Sequence, residues 1–356
     1  LLILNFEKMR IDEDAGENDA TIDVFYFLHE FSLIRLIWNL VQGKCIGVIA
    51  VSPVFPPLEP LLNKFLLILV RIAGVVDVLK NRPDLVPVGD FSDHARLNDP
   101  FPVSEMWFDK YYNFPEKENE LDEYALTFKH VICNQTKLYP LYTDAIRQIL
   151  INTPNDSSKI CGVPRDIAER YKFENKEDRA DRLILAPNFA TTLNGLFSIL
   201  LLLRIVAWLI LKLRLGKREP KEFFLGSDVV SDLRLPIVWE EVKQAGQHVF
   251  LVYRNQNQQH AIENEYPGWD LSIWPGCVYS AALFNFRQMC SALELCLRDI
   301  SFLYRRLHRL EPHLYWQVVK LPYHRIMYRG LFNLYRFKNF WARDDYNVEH
   351  IIRTQE

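Results

Sequence analysis

The chain has 356 residues, of which 49% are hydrophobic and 13% aromatic, so it can bury the cores of about two domains and is not globally disordered. Its formal net charge of -3 gives no general attraction for nucleic acid, and we expect no nucleic-acid partner. The six cysteines contain no CxxC pair, which excludes a zinc knuckle and is typical of reduced thiols in a cytosolic compartment.

The N-terminal part of the chain alternates between strand and helix patterns. The apolar run 22–28 and the run 45–51 are each of strand length. Between them, Ser32 is predicted to cap a helix over 33–41 that ends at Gly43. This succession predicts an α/β domain with a parallel sheet.

The middle of the chain is predicted to be helical at first, then rich in loops, then helical again. The first of these helices is almost wholly apolar, so it is either buried or lies on lipid. A charged stretch that reads as a linker closes this part of the chain. The predicted segments are an apolar helix over 58–73, a loop over 77–102 with strand-like pieces at 75–79 and 85–88, helices over 105–113 and over 121–150 with a break near Pro140, a helix within 159–173 beyond Pro164, and the charged stretch 174–181.

Residues 193–213 form the most apolar stretch, which is predicted to be one continuous helix with an exposed apolar face. Its length only just reaches the ~20 residues that span a bilayer, and Arg204 lies near its centre. Several lysines and arginines follow, which suits an anionic lipid surface. Three interpretations stay open: a helix lying in or re-entering the membrane, which we favour, a buried helix between domains, or a true crossing.

A second strand–helix–strand pattern begins at residue 222. Strands are predicted over 223–225 and 249–253, with a polar turn and a helix between them. The turn lacks a GxGxxG or GxxxxGK pattern, so it is neither a standard dinucleotide fingerprint nor a P-loop. We expect these strands to be parallel neighbours of a strand over 337–341, in a sheet separate from the N-terminal one. Between them lie a predicted loop over 266–276 and helices over 278–310 and 318–335.

The segment after the last predicted strand combines a turn with the start of a helix. A helix N-terminus beside an arginine can bind phosphate. The adjacent carboxylates Asp344 and Asp345 are better explained as helix capping than as metal ligands, and we expect no metal. The chain starts at Leu1 without Met and ends inside a predicted helix, so we expect a fragment.

Two motifs, GSDVVSDLR at 226–234 and RDDYNVEHIIRT at 343–354, resemble a group of bacterial surface-carbohydrate biosynthesis proteins that are similar to GT-B glycosyltransferases. The resemblance implies two Rossmann-like domains facing across a cleft, at 1–185 and 222–356, the second incomplete, with a membrane-associated apolar helix and basic linker at 190–221 between them. It implies glycosyl transfer from a nucleotide sugar, which is a substrate and not a cofactor, to a glycan or lipid-linked acceptor. It also implies a location on the cytoplasmic face of the bacterial inner membrane.

The resemblance and the strand ends together select candidate site residues. His29 and Glu30 follow the first clear strand and are candidates to deprotonate an acceptor hydroxyl, with Asp93 and His94 in a later loop as further candidates. The donor phosphates would be bound by Gly226, Ser227, Asp228, Arg234, Arg343, Asn347 and His350. The alternatives are a nucleotide-sugar 2-epimerase-like enzyme and a non-catalytic membrane-associated scaffold subunit with the same fold.

Overall fold

A computed structural model describes residues 22–72, 75–82, 131–132, 135–136, 138–153, 159–175, 178–213, 221–227, 249–253, 270–273 and 283–341, with isolated positions at 244, 260 and 263–264. The chain divides into two compact units. The described residues of unit 1 lie within 22–82, 131–194 and 308–316. Those of unit 2 lie within 195–307 and 317–341.

Unit 1 contains a five-stranded, wholly parallel sheet, which confirms the α/β class and the predicted strands over 22–28 and 45–51. Its strand order is β3-β2-β1-β4-β5. The strands read as continuous apolar runs because helices cover both faces of such a sheet. They are β1 (Val24–Leu28), β2 (Ile46–Val51), β3 (Val75–Asp77), β4 (Ile160–Val163) and β5 (Leu183–Leu185).

The helices of unit 1 are α1 (Leu33–Val41), α2 (Glu59–Ile72), α3 (Val78–Asn81), α4 (Tyr139–Asn152) and α5 (Arg165–Asn175). Gly43 ends α1 with a φ of 77°, as predicted. Ser32 does not cap α1 in the predicted way, because its hydroxyl donates backward to the carbonyl of His29 at 2.7 Å. A new helix begins at Tyr139 after the non-helical Leu138, which confirms the predicted break near Pro140. Pro140 lies in the first turn of α4, where proline needs no N–H donor.

Three stretches of unit 1 differ from the prediction. The strand-like piece 75–79 becomes helical after Asp77. The charged stretch 174–181 leads into a short 3-10 helix, Asp178–Arg182, whose arginines donate to backbone carbonyls at the end of α4, and strand β5 of the same sheet follows. Strand β4 was not predicted, because it has only four residues and includes a glycine.

Helix α6 (Ala190–Leu211) is continuous, as predicted for the most apolar stretch. Phe197, Leu201, Ile205 and Leu209 recur every four residues and are buried. The opposite side exposes large apolar side chains, including Leu203 at 61%. The helix is long and apolar enough to cross a membrane, which is a statement about length and composition alone.

Unit 2 contains a four-stranded parallel sheet in the order β8-β7-β6-β9. It confirms that the segments 223–225, 249–253 and 337–341 are parallel neighbours, apart from the first sheet. Gly226 and Ser227 are the last residues of β6 rather than a turn, and β8 lies inside the predicted loop over 266–276. The strands are β6 (Lys221–Ser227), β7 (Val249–Tyr253), β8 (Asp270–Ile273) and β9 (Tyr335–Trp341).

The C-terminal helices are shorter than predicted. They are α7 (Phe286–Leu307), α8 (Pro312–Val318) and α9 (Leu321–Phe332). The predicted helix over 278–310 begins only at Phe286, and Pro312 starts a new helix. The short segment His308–Trp316 belongs to unit 1, whereas the residues on either side of it belong to unit 2.

Candidate active site

The candidate site of unit 1 lies at the carboxyl ends of its strands. The chain runs from β1 to β2 and β3 on one side of the sheet, and β4 and β5 lie on the other side, so β1 and β4 flank the switch point. Ligands of open α/β sheets collect at such points. A small cavity there is lined by residues that follow β2, β4 and β5 and by the start of α8: Ser52, Pro53, Val54, Pro164, Arg165, Ala186, Pro187, Asn188, Phe189, Glu311, Pro312 and His313.

Glu30 holds one wall of this cavity in place. Its carboxylate accepts the backbone N–H of Val54 at 2.9 Å and the backbone N–H of Phe55. Both carboxylate oxygens therefore bind the loop that follows β2. In this structure Glu30 positions the loop that follows β2, because both of its carboxylate oxygens accept backbone N–H groups of that loop.

Four ionisable side chains of unit 1, Tyr139, Asp166, Glu311 and His313, form what we call the acid–base cluster. The Tyr139 hydroxyl donates to Asp166 Oδ2 and lies 2.8 Å from His313 Nε2. His313 Nε2 is 3.7 Å from the same carboxylate oxygen. If Tyr139 donates to Asp166, then His313 must donate its Nε2–H to Tyr139, which leaves Nδ1 as its proton acceptor.

Local sequence explains the position of Asp166. Pro164 ends β4, and helix α5 begins at the next residue, so Asp166 lies in the first turn of that helix. Its Oδ1 accepts the backbone N–H of Ile167 at 3.0 Å, as carboxylates near a helix N-terminus commonly do. Asp166 is only 2% exposed, so its hydrogen bonds are shielded from water.

Burial and neighbouring charges determine the protonation states of the acid–base cluster. Burial, followed by the nearby Asp166 carboxylate, raises the pKa of Glu311 to about 8, so Glu311 is mostly protonated at pH 7. Burial also raises the pKa of Asp166, but His313 and the Tyr139 hydroxyl oppose this and favour the carboxylate. Burial lowers the pKa of His313. At neutral pH the cavity is therefore lined by a neutral carboxylic acid and a neutral imidazole.

His29 lies at the switch point itself, as the end of β1 predicts. It is 4% exposed, and burial lowers its pKa. Gly162 of β4 has a φ of 75°, and a Cβ atom there would lie 2.8 Å from the His29 ring. Among the described residues, His29 Nδ1 has no hydrogen-bond partner. A buried ring nitrogen without a partner at a ligand-collecting position supports His29 as a candidate binding residue.

The predicted donor segments belong to unit 2. Ser227 ends β6 and is the register partner of Leu251 on β7 and of Trp341 on β9. Because β6 and β9 are adjacent at the switch point of this sheet, the strands that lead to both donor motifs end side by side. The other predicted site residues lie outside the described residues: Asp93, His94, Asp228, Arg234, Arg343, Asn347 and His350.

The acid–base cluster was missed at the level of sequence. Tyr139, Asp166 and His313 are far apart in the chain, and no local spacing connects them. A signal was nevertheless present, since Pro164-Arg165-Asp166 follows the apolar run ICGV directly. Recognising that run as a strand would have placed Asp166 at a strand end.

The described residues form no metal-binding group, and the chain matches no known protein in three comparisons. Within the part of the chain that the structure describes, no group of three or more His, Cys, Asp or Glu side chains could hold a metal ion. Comparison of the chain with models of protein families, with curated protein sequences and with solved structures gives no match.

Proposed function

We propose that this chain is a glycosyltransferase that moves a sugar from a nucleotide-activated donor during bacterial surface polysaccharide assembly. The observation that carries the proposal is the pairing of His313 and Glu311 on one cavity at the carboxyl end of a parallel sheet. Glycosyl transfer to a hydroxyl needs a base for the acceptor and stabilisation of the leaving phosphate. A neutral imidazole and a protonated carboxylic acid supply both kinds of group near pH 7.

The acid–base cluster divides these tasks. The acceptor hydroxyl transfers its proton to His313 Nδ1 while its oxygen forms a bond to the anomeric carbon of the donor. The bond between that carbon and the nucleotide's phosphate oxygen breaks, and Glu311 donates a proton to the leaving oxygen. The imidazolium that forms is stabilised by Asp166 through the bridging Tyr139 hydroxyl.

The nucleotide is assigned to unit 2 by the resemblance. The support from this unit is that the two motifs lie at the ends of neighbouring strands. Ser227 at the end of β6 and Trp341 at the end of β9 are register partners at a switch point. Under this proposal both units are Rossmann-like domains of a GT-B-like protein, and Gly226 and Ser227 approach the donor phosphates. Arg165, which pairs with Glu169 at 2.8 Å, also lines the cavity in unit 1.

Helix α6 is the membrane-associated part of the proposed enzyme. The support is an exposed row of leucine and isoleucine side chains along a helix with one charged residue in 22. Exposed apolar surface of this kind marks interaction or membrane sites. The proposed location is the cytoplasmic face of the inner membrane, with a lipid-linked or surface glycan as acceptor.

The test is turnover and binding of nucleotide sugars by the full chain, supplied with a bacterial lipid extract as the source of acceptor. We expect one donor of a panel to release its nucleotide. Replacing His313→Gln should lower this rate about 100-fold or more, since general bases contribute ~100- to 10,000-fold. The same variant should keep its affinity for the donor within about threefold, because the nucleotide is assigned to unit 2.

The matched control is His260→Gln, because His260 is an exposed histidine whose side chain is 71% accessible, and it is neither a cavity-lining residue nor a candidate donor-site residue. This variant should keep the wild-type rate. Binding without turnover for every donor and lipid extract would favour the scaffold alternative. A product with inverted configuration at sugar carbon 2 would favour the epimerase-like alternative.

A further inference from the structure

The outward face of helix α6 combines an apolar stripe with one cation. Leu196, Ile199, Leu200, Leu203 and Ile210 lie on one side of the helix and are between 42% and 61% exposed. Arg204 is exposed in the same region and is the only charged residue between Ala190 and Leu211. An arginine is costly on a surface that contacts lipid unless its charge meets a partner.

Arg204 does not project alone from this face. Its guanidinium carbon lies 5.4 Å from the centre of the Tyr323 ring in helix α9. Trp208, one turn further along α6, packs edge-on against the same ring at 5.4 Å. The two aromatic rings therefore fix the position of the cation, and the interaction belongs entirely to unit 2.

Two further basic side chains flank Tyr323. Lys320 and His324 are four residues apart at the start of α9, so they lie on one side of that helix. Lys320 Nζ donates to Gln317 Oε1 at 3.1 Å, and the rings of His324 and Tyr323 are 6.3 Å apart. We call Arg204, Lys320 and His324 the basic cluster.

Lys320 and His324 lie in a poorly hydrated place, and neighbouring positive charge disfavours their protonated forms. Burial, followed by Arg204, lowers the pKa of Lys320 to about 8. Burial, then Lys320, then Arg204 lower the pKa of His324 to about 4. An anion placed among these groups would relieve the repulsion and would favour their protonated forms.

We propose that the basic cluster binds the phosphate of a membrane lipid whose acyl or prenyl chain lies along the apolar stripe of α6. The reason for a lipid is that Arg204 lies on the same helix as exposed leucine and isoleucine side chains, which a soluble phosphate would leave in water. A phosphate provides several acceptor oxygens for arginine and lysine donors. The inference rests on the proposed function, in which it assigns the lipid phosphate of the acceptor to unit 2.

The test is flotation of the full chain with phosphatidylcholine vesicles that contain phosphatidic acid, cholesteryl hemisuccinate or neither. The hemisuccinate supplies negative charge without phosphate. We expect preference for phosphatidic acid over both other vesicles. The double variant Arg204→Gln and Lys320→Gln should lose about tenfold or more of this preference, because two charge-assisted contacts are removed. Binding to plain phosphatidylcholine should change little, since the apolar stripe is intact.

Two further variants keep the result interpretable. Arg204→Lys retains the positive charge and should keep most of the preference, whereas the double variant should lose it while its binding to plain phosphatidylcholine shows that it is folded. Arg287→Gln removes an exposed arginine at the start of α7 and should bind as wild type does.

Several outcomes would overturn the inference. They are equal binding to phosphatidic acid and hemisuccinate vesicles, an unchanged preference in the double variant, or full competition by millimolar inorganic phosphate, which would point to a free anion. If the chain ignores phosphatidic acid but still transfers sugar to a soluble acceptor, this inference fails and the proposed function stands. If the chain binds phosphatidic acid but turns over no donor, the proposed function fails and the phosphate site stands.

Discussion

Glu311→Gln isolates the most unusual protonation state in the cavity. Glutamine has the shape of a protonated glutamate, and its side-chain carbonyl can still accept the backbone N–H of Arg165 that hydrogen-bonds Glu311. In the native protein Glu311 keeps its proton up to about pH 8, whereas in the unfolded chain it titrates near 4.5. Unfolding therefore releases a proton between these values, and wild-type stability falls as pH rises through this interval.

The size of the effect follows from the two pKa values. Moving a pKa from 4.5 to about 8 corresponds to a differential free energy of about 5 kcal/mol, fully expressed only above pH 8. The charge of the buried Asp166 carboxylate also raises the pKa of Glu311, so part of this free energy belongs to the pair. We expect the variant to gain at least about 2 kcal/mol over wild type between pH 5 and pH 8.5.

The measurement is urea unfolding of the full chain at a series of pH values, followed by hydrogen exchange in the peptide 159–175 so that unit 1 is observed by itself. Glu169→Gln is the control, because Glu169 makes a surface pair with Arg165 and its side chain is 35% exposed. This control should change stability by less than about 1 kcal/mol at every pH. A stability difference between Glu311→Gln and wild type that is flat or falls with rising pH would refute the reasoning.

Two further substitutions test how the site is positioned. Gly162→Ala should lower the free energy of unfolding by more than about 3 kcal/mol, since φ is positive and the new Cβ would lie 2.5 Å from a backbone carbonyl oxygen. Gly43→Ala, with φ 77° and nothing within 4 Å, should lower it by only about 1 kcal/mol. Urea titration of both variants checks this, and equal costs would contradict it. Asn194→Ala removes two hydrogen bonds, of 3.0 and 2.7 Å, to carbonyls at 308 and 310 and should destabilise unit 1 by about 2–4 kcal/mol. It should also speed proteolysis within 308–316, and an unchanged cleavage rate there would count against the assigned role of Asn194.

The sequence predicts the sheets better than the site. Strands such as β1 and β6 were found because continuous apolar runs between polar turns are a local signal. The partnership of Asp166 with His313 could not be found that way, because it depends on a tertiary connection across 147 residues. Strand β4 was missed because its run is short and contains Gly162, a residue with positive φ that lies close to the His29 ring.

The helix ends show the same limit. The end of α1 at Gly43 was predictable, since glycine readily adopts the left-handed conformation found there. The reversed role of the Ser32 hydroxyl was not, because the short 3-10 turn Glu30–Ser32 offers the hydroxyl a nearer carbonyl. Local sequence propensity predicts which residue lies at a helix end. The neighbouring turn determines which backbone group that residue's side chain hydrogen-bonds.

Unit 1 is not contiguous in the gene, and this affects how the protein is made. Its sheet is complete once residue 194 has been synthesised, but Glu311 and His313 arrive only with the segment His308–Trp316. At about 5–20 residues per second, the ribosome needs roughly 6–24 s to add the intervening 122 residues. During that interval the nascent chain carries a sheet edge whose cavity lacks one wall, together with the newly exposed apolar helix α6. A nascent chain in this state exposes apolar surface that the finished protein covers in part, and a gene cut at residue 194 encodes an incomplete unit.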